Sequence, residues 1–186
     1  MQTAAMDNFE SALCLINRMG DADEQISLRV KSKICLSIGL IRSQFESPME
    51  AIIMLQQAIE FKKAELDADV NASGADFLEL RDQYVLLAHQ QQKLQQYSSS
   101  VKSLEAALEL QMQQNGEFEY KTSQILTQIA HCLLKNEQYS ESIGKLERSV
   151  VVLARIETLS HEPKAAKRVQ NASFGIDPAR ISEKLD

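Results

Sequence analysis

A chain of 186 residues is long enough for one domain with a sizeable core, and its 44% hydrophobic and 25% charged content is ordinary for a globular protein. Its net charge of −6 argues against a general nucleic-acid binder, because phosphate binding needs a basic surface. Three prolines and six glycines are too few for an all-β chain with many tight turns, and no apolar run approaches the ~18 residues a membrane span needs.

The start, MQTAAMDNFESAL, lacks a cationic stretch followed by an apolar core, so it does not read as a secretory signal. Cys14, Cys35 and Cys132 are odd in number, irregularly spaced and set among apolar residues, with no CxxC pair. They are expected to be buried, reduced thiols, which places the chain in a reducing, cytoplasmic setting. The Asn-Ala-Ser sequons at Asn71 and Asn171 are then expected to carry no sugar.

In chain order, Phe9, Ala12, Ile16 and Met19 recur at helical spacing, and Gly20 ends a leading helix expected over about 3–19. Its other apolar positions, such as Leu13, extend the same stripe. Ile38-Gly39 belongs to the next helix, and Pro48 suits the first turn of the one after it, which carries Ala51, Leu55 and Ala58. DADVNASGAD at 67–76 has turn chemistry and offers Asp76 as an N-cap. A helix with Phe77, Leu80, Tyr84, Leu87 and Ala88 follows, then a polar break at Gln95-Gln96 and a helix with Val101, Leu104 and Leu108. Asn115-Gly116 closes that helix, because glycine can adopt the left-handed conformation. The last pair carries Ile125, Ile129 and Leu133, then Ile143, Leu146, Val150 and Leu153, separated by Asn136-Glu137-Gln138.

These helices repeat. YSSSVKSLEAALEL at 97–110 returns as YSESIGKLERSVVV at 139–152, and with the same 42-residue offset Leu87-Ala88 falls on Ile129-Ala130, His89 on His131 and Lys93 on Lys135. The preceding unit is offset by 49 residues, the extra seven falling in the 67–76 loop. Each unit reads as an antiparallel helix hairpin, and three hairpins plus the leading helix make a repeat domain over residues 1–160. From 161 to 186 the composition changes to five basic and four acidic residues with two of the three prolines, which reads as a basic, extended C-terminal tail.

A small residue four before a large one in each second helix (Ala12/Ile16, Ala51/Leu55, Ser100/Leu104, Ser142/Leu146), with Gly39, Ala88 and Ala130 in the first helices, resembles the tetratricopeptide repeat. The 42-residue unit, longer than the usual about 34, looks most like the kinesin-light-chain variety. The resemblance implies an all-α, right-handed α-solenoid. It also implies a concave groove lined by the first helices, and matched positions place Lys33, Leu36 and Leu40, then Asp82, Val85, His89, Gln92 and Lys93, then Gln124, Thr127, His131, Leu134 and Lys135 there. The lysine/asparagine clamp of chaperone-binding members is replaced by Val85 and His89, then Gln124 and Gln128, so no such tail binding is expected. The matched histidines and lysines suit an acidic or extended peptide as guest.

No Gly-rich phosphate loop, GxSxG or HExxH motif is present, and no Cys-His dyad shares a helix face, so the chain does not read as an enzyme. His89 and His131 lack a third ligand, so neither a metal nor another cofactor is expected. The expected role is a non-catalytic protein–protein interaction module, an adaptor or scaffold holding a partner segment in the groove. The alternative is a structural subunit of a large cytoskeletal, ciliary or organellar assembly that meets its neighbours through its ends and tail. In both readings the chain belongs to a larger complex.

Overall fold

A computed structural model describes residues 24–44 and 47–173 and the isolated positions 8, 11 and 14, with side chains described over 28–44 and 47–160. Among the described residues there are six helices and no strand: α1 Glu24–Gln44, α2 Pro48–Ala68, α3 Gly74–Lys93, α4 Tyr97–Asn115, α5 Tyr120–Lys135 and α6 Tyr139–Ser173. The helices pair in sequence as α1·α2, α3·α4 and α5·α6, and successive pairs touch through α2·α3 and α4·α5. The architecture is an all-α solenoid of three hairpins. The leading helix expected over 3–19 lies outside the described residues, apart from those three isolated positions.

The 42-residue repeat governs the backbone as well as the sequence. α3 ends at Lys93 and α5 at Lys135, and α4 begins at Tyr97 and α6 at Tyr139. In each turn the second residue after the helix takes a positive φ, 59° at Gln95 and 61° at Glu137. Glutamine and glutamate tolerate that region poorly, so the geometry is set by the helices the turn must join. Gly116 closes α4 at φ 82° and ψ −179°, an extended positive-φ region open essentially to glycine alone, rather than the left-handed helical conformation expected of it.

Inside each hairpin a buried hydroxyl bonds the facing helix. Ser100 Oγ donates to the Ala88 carbonyl at 3.1 Å and Ser142 Oγ to the Ala130 carbonyl at 2.8 Å. These four residues are the small positions of the repeat, so their size lets the two backbones close to hydrogen-bonding range. In the first hairpin Gly39 and Ala51 stand there instead, and a Cβ on Gly39 would sit 3.1 Å from Leu55 Cγ. Ala130 is fully buried. We expect Ala130→Leu to force these backbones apart and to cost about 1–3 kcal/mol by overpacking. An unchanged urea midpoint would contradict this placement.

Two clusters form the core. Ala88, Leu104, Ala107, Leu108, Ile125, Leu126, Ile129, Cys132, Leu133 and Val152 join the second hairpin to the third. Ile52, Leu55, Ile59, Leu80 and Leu87 join the first to the second. The second seam is also polar. Lys62 of α2 is buried between Glu65 and the start of α3, and Gln83 is buried with neither amide atom hydrogen-bonded to the protein.

Several expectations are corrected. The cap of α3 is Ser73, not Asp76; Asp76 stands three residues into the turn, where its Oδ2 accepts from Ser73 N at 3.1 Å and Ser73 Oγ at 2.6 Å. Cys35 and Cys132 are buried, but Cys14 is exposed. Finally, the backbone stays helical from 161 to Ser173, through Pro163, where an extended tail was expected to begin. Pro163 lacks the N–H that would bond the carbonyl of residue 159.

Candidate interaction surface

In a stack of antiparallel hairpins the first helices share one face and the second helices the other. On the first-helix face, Leu36 of α1 meets Ala75, Leu78, Glu79, Asp82, Gln83 and Leu86 of α3 around an open cleft of about 360 Å³. Three leucines supply its apolar wall and two carboxylates its rim. The tetratricopeptide resemblance points to Leu36 and Asp82; Leu78, Glu79 and Leu86 are not among its matched positions.

Toward the C-terminal ends of α3 and α5 the character changes. His89 and Lys93, and their repeat equivalents His131 and Lys135, are exposed. Lys93 Nζ reaches the carbonyl of Ser43 at the end of α1, 3.4 Å away, so this lysine bridges two first helices. Lys33 and Gln124 are exposed as well. The first-helix face therefore carries carboxylates beside a leucine-lined cleft at one end and cationic side chains at the other.

Two of the residues assigned to the groove are partly turned into seams. Gln92 Nε2 donates to Ser100 Oγ at 3.2 Å and Cys132 Sγ at 3.1 Å. Val85 packs against the larger core cluster. Thr127 is exposed, although its Oγ1 donates to the Ser123 carbonyl at 2.9 Å and lies 3.1 Å from Ser149 Oγ of α6.

On the second helices, Glu105, Leu108, Glu109, Met112, Gln113 and Lys145 line a broader cleft of about 520 Å³ between α4 and α6. Lys145–Glu105 at 3.2 Å and Arg148–Glu117 at 2.8 Å span it. Ordinary surface pairs of this kind contribute little each.

No group of three His, Cys, Asp or Glu side chains among the described residues could hold a metal ion. Burial pushes the Cys35 thiol above its ordinary value. Burial does the same at Cys132, against smaller opposing effects from Ser100 and Gln92, so both sulfurs stay protonated and weakly nucleophilic. No described helix is long and apolar enough to cross a membrane.

No family model and no curated protein matches the chain. Solved structures do. BtubC (BKLC) from P. vanneervenii, a kinesin-light-chain-like tetratricopeptide protein, superposes with a TM-score of 0.56 at 13% identity over 84% of this chain. This chain spans only 58% of the length of BtubC. The MamA protein, also of tetratricopeptide type, gives a TM-score of 0.50 at 12% identity, covering 88% of this chain and 79% of MamA. At these identities the likeness concerns the fold alone, a tetratricopeptide-like helical repeat.

Proposed function

We propose that this tetratricopeptide-like solenoid is a non-catalytic protein–protein interaction module, an adaptor or scaffold that holds a partner segment along its first helices. The observation that carries the reading is the division of the first-helix face. A leucine-lined cleft rimmed by Glu79 and Asp82 lies at one end, and His89, Lys93, His131 and Lys135 lie at the other. An extended segment crossing that face meets an apolar pocket and both signs of charge, which favours one orientation. Lys33, Asp82, His89, Lys93, Gln124, Thr127, His131 and Lys135 are its contacts, while Val85 and Gln92 hold the helices that present them. The helical-repeat architecture of the structural neighbours fits a binding role rather than a catalytic one.

The test is lysine cross-linking of the protein in complexes isolated from its native source. Links from one partner concentrated at Lys93 and Lys135 are expected. Converting His89 and His131 together to alanine should weaken that partner by about tenfold, or 1.4 kcal/mol. A partner that never links to the first-helix face, and that binds the double variant unchanged, rules the groove out.

A structural-subunit reading, in which an end of the solenoid makes the contacts, is favoured by one observation. Apolar side chains are exposed along α6 at Ile143, Leu146, Val150 and Leu153.

A further inference from the structure

The outer face of α6 repeats a surface that the preceding hairpin buries. In α4, Tyr97, Val101, Leu104, Leu108 and Gln111 run along one stripe at alternating spacings of four and three. Leu104, Leu108 and Gln111 are buried there, with α5 packed against them. Forty-two residues on, the stripe returns as Tyr139, Ile143, Leu146, Val150 and Leu153, with Leu146 44% and Val150 65% exposed. The adjoining side of α6, with Ser142, Ser149 and Val152, is fully packed, so the helix is held in place while the apolar stripe beside it faces outward. A contiguous run of large apolar side chains on a well-packed helix marks a contact surface.

The four-three spacing is that of a heptad seam. Ile143 and Val150 fall at its first position, a, and Leu146 and Leu153 at its fourth, d, with Tyr139 at the d before them. β-branched residues at a with leucine at d favour two parallel strands, because the Cβ branch packs well against its own counterpart in that geometry. We propose that α6 pairs through this stripe with α6 of a second copy of the chain, forming a short parallel two-stranded coiled coil. Such a contact is isologous: each residue meets its own counterpart about a twofold axis, and the assembly closes at two copies.

The sequence also sets the length of the seam. The next a position after Val150 is Glu157, and the following ones are Lys164 and Asn171. Two glutamates facing each other across the axis repel, so pairing stops at Leu153. The position before Ile143 is Asn136, which caps α5 and precedes the helix. Two heptads are too few to hold free peptides together, since each helix would have to form as well as associate. On this chain α6 is already ordered by α5, and association does not bear that cost.

The test is the oligomeric state of the full chain, followed by sedimentation from about 1 to about 100 µM, since a weak dimer dissociates on dilution. The mass should rise from 20.9 kDa toward twice that value. Leu146→Asp with Val150→Asp should hold it at one copy throughout, with the helical circular dichroism unchanged because both side chains are already exposed. Orientation is read separately in a Cys14→Ser background. Val150→Cys should oxidise to a covalent dimer there, since a parallel seam places the two sulfurs side by side, and Glu147→Cys should not. A wild-type chain that stays monomeric at about 100 µM overturns the proposal, and that is the result if α6 instead receives a helix from another protein. A dimer that survives the double aspartate variant, or Val150→Cys that does not cross-link, overturns it equally.

Discussion

Lys62→Ala lowers the stability of this chain by about 3 kcal/mol, the largest loss expected from any polar side chain in the structure. Lys62 is only 1% exposed, yet its ammonium lies 3.2 Å from Glu65 Oε2, 3.2 Å from Asp76 Oδ1 and 2.9 Å from Glu79 Oε2. Glu65 belongs to α2, and Asp76 and Glu79 to the first turns of α3. One cation therefore ties the first hairpin to the second. Arg29 adds a weaker approach to Glu65 at 3.5 Å and cannot replace it, since it is largely in solvent. Without Lys62 the carboxylate of Glu65 stays buried and faces two others. Breaking a buried ion pair in this way costs about 3–5 kcal/mol, and the lower figure applies because Asp76 and Glu79 keep some contact with water. A urea titration with an unchanged slope measures the loss directly. A loss below about 1 kcal/mol would mean that the carboxylates relax into solvent and the tie is not structural.

The same cluster sets how stability responds to pH. Hydrogen bonds from the Ser73 hydroxyl and then from Lys62 hold the Asp76 carboxyl at about 2, below its ordinary 3.8. A carboxylate whose folded value lies below its unfolded value contributes fully above the unfolded value and loses that contribution as the pH falls through the folded one. The window here runs from about pH 4 down to about pH 2, and the contribution is about 2 kcal/mol. At Lys62 burial pulls the pKa down, but hydrogen bonds to Glu79, Asp76 and Glu65 outweigh it and leave the value raised. That contribution is present below the ordinary 10.5 and is lost as the pH rises through the folded value. Lys62→Ala should therefore flatten the acid limb as well as lower the plateau.

None of this was visible in KKAELD, where Lys62 reads as an ordinary surface lysine. Periodicity identifies which face of a helix is apolar, and on that basis the ends of α3 and α5, the start of α2 at Pro48 and the glycine closing α4 were all legible. Counting apolar residues passes over a polar one that continues the same stripe. Lys62 follows Ala58 by four, Gln83 lies between Leu80 and Leu87, and Gln111 follows Leu108 by three, and all three are buried. Gln111 is also held by Arg81, whose guanidinium donates to its side-chain oxygen. The candidate surface was half legible for the same cause. His89, Lys93, His131 and Lys135 are exposed, as is Thr127 four residues before His131, but Gln92, one residue before Lys93, turns toward Cys132. A single chain with a 42-residue period also conceals where the array stops, since the pattern of α6 is as apolar as that of α4.

That concealed ending gives the second large effect, because equivalent residues of the repeat should respond oppositely. Leu104→Ala is expected to cost about 3–4 kcal/mol and Leu146→Ala, 42 residues later, under about 1 kcal/mol in dilute solution. Leu104 is fully buried in the larger core cluster, beside Ile125, Leu126 and Ile129. Truncating it removes its contacts and leaves a cavity whose walls belong to three helices that cannot all close inward. Leu146 occupies the same place in the pattern but is 44% exposed, so water already reaches nearly half of what truncation would remove. Urea midpoints taken below about 1 µM compare the two as single chains, free of any association through α6. Equal losses at the two sites would show that something already covers α6 in the isolated chain. A large loss at Leu104 alone shows that this stripe is covered on α4 and uncovered on α6, and only an uncovered stripe has apolar surface available for pairing.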